Sequence, residues 1–166
     1  HILWINLVTD SLPALALSVD PAARGIMRRK PIDPDQGILT RGFVIRIVLQ
    51  SVLITALVLT AYHIGLRESI DVARTMTFAV LAFSQMTLIF SIRSGNENAF
   101  ATLFSNGLLW GAILLVVVLM LGVMLIPALQ SIFHVVALTG TQWLWVGGLS
   151  MAAFVVSEIV KLFMRK

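Results

Sequence analysis

The amino-acid sequence predicts an all-α fold, a polytopic membrane helix bundle of five transmembrane helices, and three observations carry that expectation. Hydrophobic residues make up 58% of the chain and charged residues 12%, with a mean hydropathy of +0.96, far from the balance of a soluble domain. Apolar runs at 2–19, 43–62, 72–92, 107–126 and 143–164 each come close to or exceed the ~20 residues a helix needs to cross hydrocarbon. The stretches between them collect the charge, proline and glycine. There is no cysteine, which removes disulfide frameworks and thiolate metal sites from consideration. The net charge of +4 comes from basic residues flanking the spans, with no groove-sized patch, so the expected partner is the lipid bilayer and no nucleic acid is expected.

The first run is where polar chemistry concentrates. Its 18 residues, at about 1.5 Å each, span roughly 27 Å, which places Asp10 near the membrane centre. A carboxylate there costs about 2.5 to 3.5 kcal/mol on insertion scales, so something must offset it. At about 100° per residue, Asn6, Thr9 and Asp10 fall within roughly 100° of arc and are expected to form one polar face. Pro13 has no amide hydrogen for the Thr9 carbonyl and its ring crowds that carbonyl, so the helix is expected to kink or unwind near Asp10-Pro13. A freed backbone oxygen beside three side-chain oxygens suits a hard cation, which takes six to eight oxygen ligands. Buried polar residues also serve as glue between membrane helices, and spacing alone identifies no ion.

The segment 20–42 is rich in charge, Pro and Gly; Arg24, Arg28, Arg29 and Lys30 make it a cytoplasmic loop by the positive-inside rule. In the second span Arg46 lies one turn inside the cytoplasmic end, and Gln50, Ser51 and Thr55 are expected to hydrogen-bond between helices. His63 to Asp71 is expected as a short external turn. Ser84, Gln85 and Thr87 place polar groups in the inner half of the third span. Ser105-Asn106 reads as a cap before the fourth span, where Gly107 and Gly111 fit a close-packing pattern and Pro127 closes the helix. In the fifth span Trp143 and Trp145 suit the membrane interface, and Glu158 with Lys161, three apart, can pair on one face. With the 20–42 loop inside, only Arg67 and Arg74 of the 12 Lys and Arg residues lie outside, which puts the C-terminus in the cytoplasm. The opening residues show no initiator Met, basic leader or small-residue cleavage site, and the chain starts inside a helical pattern, so a piece of a longer polypeptide is expected.

The run Leu3-Trp4-Ile5-Asn6-Leu7-Val8-Thr9-Asp10-Ser11-Leu12-Pro13-Ala14-Leu15-Ala16-Leu17, followed by Asp20-Pro21, closely resembles the sixth transmembrane helix of P-type calcium-transporting ATPases. Leu138 to Leu144 and Glu158 to Phe163 resemble the last helix of the same family. The resemblance implies helices six to ten of such a pump, bacterial-like in its short loops and resident in the cell membrane. It implies that Asn6, Thr9 and Asp10 coordinate the transported Ca2+, with Asp10 shared between two ion sites. Gln85 stands where two-site pumps carry a glutamate. The amide can still ligate, but the missing charge weakens that site and favours one calcium per cycle; an interhelical hydrogen bond is the alternative role.

The family's further acids lie on helices four and five. Its phosphorylated aspartate and its ATP and Mg2+ sites lie in cytoplasmic domains contacted through the 20–42 loop. None of these is in this sequence, so the chain alone is expected to hydrolyse no ATP and to hold no catalytic residue. Phosphorylation in those domains would drive alternating access and the exchange of calcium for protons. Other readings stay open: a pump for manganese or another cation, since oxygen ligands separate these ions poorly; a secondary transporter, although no inverted repeat is found in the five spans; and an interaction module, which leaves Asp10 beside Pro13 without a role.

Overall fold

A backbone surrounded by hydrocarbon must satisfy its own hydrogen bonds, and a helix does so within one segment. The computed structural model describes residues 1–20, 41–93 and 106–164, and these fold into helices without a strand among them. In chain order they are α1 (Ile2–Ser18), α2 (Arg41–Leu66), α3 (Ile70–Arg93), α4 (Gly107–Leu125), α5 (Pro127–Phe133) and α6 (Gly140–Met164). Helices α2, α3, α4 and α6 are long and apolar enough to cross a membrane, and α1 is a shorter apolar helix. The chain is an integral membrane protein of all-α architecture. Residues 21–40 of the expected 20–42 loop, and Ser105 of the expected cap, lie outside the described residues, while Arg41 and Gly42, expected in that loop, already belong to α2.

Helix ends follow local chemistry. Asn106 caps α4, its side chain accepting from the Leu109 amide at 3.0 Å. Pro127 does more than close α4, for it opens the short helix α5 at a first-turn position where its missing amide costs nothing. That helix was not foreseen. It stops at His134, whose φ of 51° is left-handed.

The hairpin between α2 and α3 is tighter than the sequence suggests. Helix α2 continues through His63 to Leu66, so the turn expected from His63 to Asp71 is taken up largely by Arg67 to Ser69, and Ser69 Oγ accepts from the Val72 amide at 3.1 Å. Gly65 is the cause: it lies buried against the backbone of Ala73, an approach that no side chain would permit.

Helix α3 sits at the centre. It buries Ala73, Met76, Ala79, Val80 and Ala82 among others, whereas the apolar stretch of α2 leaves its residues unburied along most of its length. One apolar cluster joins Ile5 and Val8 of α1 to Phe78, Ala82 and Met86 of α3 and Val116, Met120 and Val123 of α4. A second joins Ala61, Met76, Val80, Met124 and Val146 from α2, α3, α4 and α6. Valine, alanine and methionine dominate these contacts, compact or adaptable side chains where lipid competes for apolar surface and close fit must supply the attraction.

Polar groups add specific fasteners. Gln50 Nε2 donates to Ser157 Oγ at 3.2 Å, the interhelical bond expected of it. Thr55 instead donates to the Ser51 carbonyl of its own helix at 2.7 Å, because the carbonyl one turn back is the nearest acceptor for a hydroxyl on an exposed helix face. Gly107 and Gly111 face open space, so the close-packing pattern makes no such contact among the described residues.

Candidate intramembrane cation site

Three hydroxyl and imino-acid effects meet in α1 and reset its helical register. Pro13 offers no amide to the Thr9 carbonyl. The Thr9 hydroxyl donates to the Ile5 carbonyl, and the Ser11 hydroxyl donates to the Asn6 carbonyl at 3.0 Å. With these acceptors engaged by side chains, the regular ladder widens, and Ile5–Asp10 forms a π-helical segment between α-helical Ile2–Trp4 and Ser11–Ser18. The expected break therefore takes the form of a widened turn just before Pro13.

This register divides the polar face that a regular helix would have made. Thr9 is buried at 1% exposure, while Asn6 and Asp10 lie on the outward side of α1. In a wider turn, residues four apart stack closer to one line and the residue between them swings away, which is why Asn6 and Asp10 stay together and Thr9 turns inward. Thr9 meets α3 there, its Oγ1 3.4 Å from Gln85 Oε1. The structure thus brings Thr9 and Gln85 into contact and sets Asn6 and Asp10 on the adjoining surface of the same helix. Each supplies an oxygen suited to a hard cation. Among the described residues no three His, Cys, Asp or Glu side chains converge, so these oxygens are mostly neutral.

Helix α3 continues this polar line toward its C-terminal end. The Thr87 hydroxyl lies 2.9 Å from the Ser84 carbonyl and 3.0 Å from the Ser150 carbonyl of α6. Further on, Lys161 is 6% exposed and pairs with Glu158 Oε1 at 2.7 Å, while its ammonium also reaches the Ser91 carbonyl. Ser91 Oγ donates to the same Glu158 oxygen at 2.6 Å and lies 2.9 Å from Ser157 Oγ. The Glu158–Lys161 pair is an interhelical fastener.

At the C-terminal end of α1, sequence reasoning missed a second group. Arg93, Asp20 and Asn106 converge from α3, the end of α1 and the cap of α4. The Arg93 guanidinium holds the Asp20 carboxyl below the usual carboxylate range; partial burial pushes the other way, and the Asn106 amide adds to the lowering. The cap signal at Asn106 was legible, but the separations of Asp20 from Arg93 by 73 residues and from Asn106 by 86 residues hid the group.

The comparisons with known proteins agree with this architecture. Residues 1–163 match the family described as "Cation transporting ATPase, C-terminus". Over an alignment of 168 residues that covers its whole length, the chain is 37% identical to a calcium-transporting ATPase of Listeria monocytogenes. It is 39% identical over 153 residues, 90% of its length, to a calcium-transporting ATPase of Bacillus subtilis. A calcium-transporting ATPase type 2C member 1 of Homo sapiens is 32% identical over 164 residues, 97% of the chain. The chain spans only 19%, 17% and 18% of those three proteins, respectively.

Proposed function

Since this chain belongs to the cation-transporting ATPase C-terminal family, we propose that it forms helices six to ten of an ATP-driven calcium pump. In this reading Asn6, Thr9, Asp10 and Gln85 supply half of the intramembrane ion site. The observation that carries the reading is the π turn of α1. It turns Thr9 onto Gln85 and leaves Asn6 and Asp10 on the adjoining surface, midway along an apolar helix. A carboxylate at that depth needs a counter-charge, and a shared cation is the one that transport would supply.

One carboxylate does not balance a divalent ion, so the remaining acids come from helices outside this chain. The amide at Gln85 favours one calcium per cycle. ATP and Mg2+ act in cytoplasmic domains that the 20–42 loop contacts, and phosphorylation there drives alternating access. The basic residues flanking the spans support a cytoplasmic C-terminus, and the bacterial relatives support the cell membrane as its location.

Asp10→Asn in the full-length pump keeps shape and removes charge. Calcium-dependent phosphoenzyme formation from ATP should then be lost or need at least about tenfold more calcium, the equivalent of 1.4 kcal/mol. Unchanged calcium dependence would overturn the assignment. Manganese replacing calcium as the preferred activator in the same assay would keep the site and change its ion.

A further inference from the structure

Helices α1 and α3 run parallel and are fastened at three levels. His1 stacks on Phe78 with ring centroids 4.4 Å apart, Thr9 meets Gln85 at mid-helix, and Asp20 meets Arg93 at the far end. The last fastener is the strongest. Arg93 grips Asp20 with both ends of its fork, Nε to Oδ2 at 2.7 Å and Nη2 to Oδ1 at 2.7 Å, and its side chain is 6% exposed.

Asn106 completes the group and ties in a third helix. Its Oδ1 caps α4, and its Nδ2 donates to Asp20 Oδ1 at 2.9 Å and to the Ala16 carbonyl at 3.1 Å. The Ala16 carbonyl belongs to the last turn of α1, where no intrahelical donor is available. Two side chains therefore fix the C-terminal end of α1 against α3 and α4.

This end matters to the middle of α1 because the helix is not uniform. A π turn holds an extra residue, and relaxing it to α geometry would rotate one side of the helix against the other by about one residue, roughly 100°. A rotation of that size would take Thr9 off Gln85 or turn Asp10 to a different face. Whether the π turn persists depends on how firmly each side of it is held. Beyond it lie Ser11–Ser18 and then the Asp20 group, some ten residues and about 15 Å from Asp10, too far to touch a cation bound there.

We infer that the Asp20–Arg93–Asn106 clasp is a positioning device for the cation site, holding α1 in the register that faces Thr9 to Gln85 and presents Asn6 and Asp10 together. The inference rests on the reading of those four residues as an ion site. Asp20 and Arg93 act through α1 and never on the ion.

The test uses the full-length pump and calcium alone as the probe, measuring the calcium that gives half-maximal phosphoenzyme and the maximal level reached. Asp20→Asn and Arg93→Gln should each raise the half-saturating calcium about five- to tenfold, the low end of usual coupling between separated positions, with the maximal level retained. Arg93→Lys keeps charge but loses the fork and should fall between. The exchanged pair D20R/R93D should recover most of the shift, which a general loss of stability would not do.

Single variants with wild-type calcium dependence would overturn the clasp, and so would a shift that neither the exchange nor Arg93→Lys moderates. Asp10→Asn in the same assay separates the two readings. If it alters calcium dependence while the clasp variants do not, the clasp fails and the site stands. If Asp10→Asn has no effect, the site itself fails.

Discussion

Replacing Gly65 by alanine should destabilise the bundle more than a single added methyl suggests. A Cβ built at Gly65 would lie 2.6 Å from Ala73 Cα and 2.8 Å from Ala73 N, both backbone atoms that no rotamer change can move. To reach the 3.4 Å of ordinary contact, α2 and α3 must part by about 0.8 Å at the base of their hairpin. Overpacking of this kind costs about 1 to 3 kcal/mol, which for a domain of this size lowers the melting temperature by roughly 3 to 10 °C. The assay is thermal unfolding of the purified protein in detergent, with Gly111→Ala as the control. Gly111 has nothing within 4 Å, so alanine there should be neutral or stabilising by up to about 1 kcal/mol through helix propensity. A further arm is Gly65→Ala combined with Ala73→Gly. The clash is with Ala73 backbone, so removing the Ala73 methyl should give no rescue. Equal melting of Gly65→Ala and Gly111→Ala, or rescue by Ala73→Gly, would refute the reasoning.

The buried ion pair of α6 gives a second test: Glu158→Gln leaves the Lys161 charge without its carboxylate and should cost about 3 to 5 kcal/mol, while the double variant E158Q/K161M should melt above E158Q. The Asp20 carboxyl predicts a pH dependence. Its folded value is depressed, so its contribution is complete above the ordinary carboxylate range and fades as pH falls through the folded value. Wild-type and Asp20→Asn melting temperatures should therefore differ most near neutrality and converge on acidification; a constant gap would contradict the pairing with Arg93 and Asn106.

The all-α membrane class was legible because composition and run length are properties of the chain itself, and they decide how it meets hydrocarbon. So were the proposed site residues, since a mid-membrane acid and a helix proline are visible without any partner. What the sequence hid was register. Asn6, Thr9 and Asp10 share a face at 100° per residue, yet hydroxyls at Thr9 and Ser11 engage the Ile5 and Asn6 carbonyls and widen the turn, so Thr9 turns away. Local backbone competition of that kind changes which residues meet without changing their spacing in sequence. Gly65 shows the opposite difficulty: the letter is visible, but its purpose depends on Ala73 arriving from the next helix. The Asp20 clasp needed three helices to be placed before any of its bonds could be read.

In lipid, apolar contact hardly distinguishes a neighbouring helix from a fatty chain, so the polar contacts of α3 carry much of the specificity of this bundle. They are graded. Thr75 Oγ1 accepts from the Val136 amide at 3.0 Å, the Thr87 hydroxyl lies 3.0 Å from the Ser150 carbonyl, Ser91 Oγ reaches Glu158 at 2.6 Å, and Arg93 reaches Asp20 at 2.7 Å. Thr9 to Gln85, at 3.4 Å, is the longest of the set. The Thr9 hydroxyl already donates its one proton to the Ile5 carbonyl, so this oxygen–oxygen contact is the least costly to exchange for another ligand. It lies beside the outward-facing acid and within the π turn of α1. On the proposed reading of Thr9 and Gln85 as ion ligands, a bundle held firmly on either side of one loose oxygen pair would keep its helices in place while that pair changes partners, an arrangement suited to reversible cation binding.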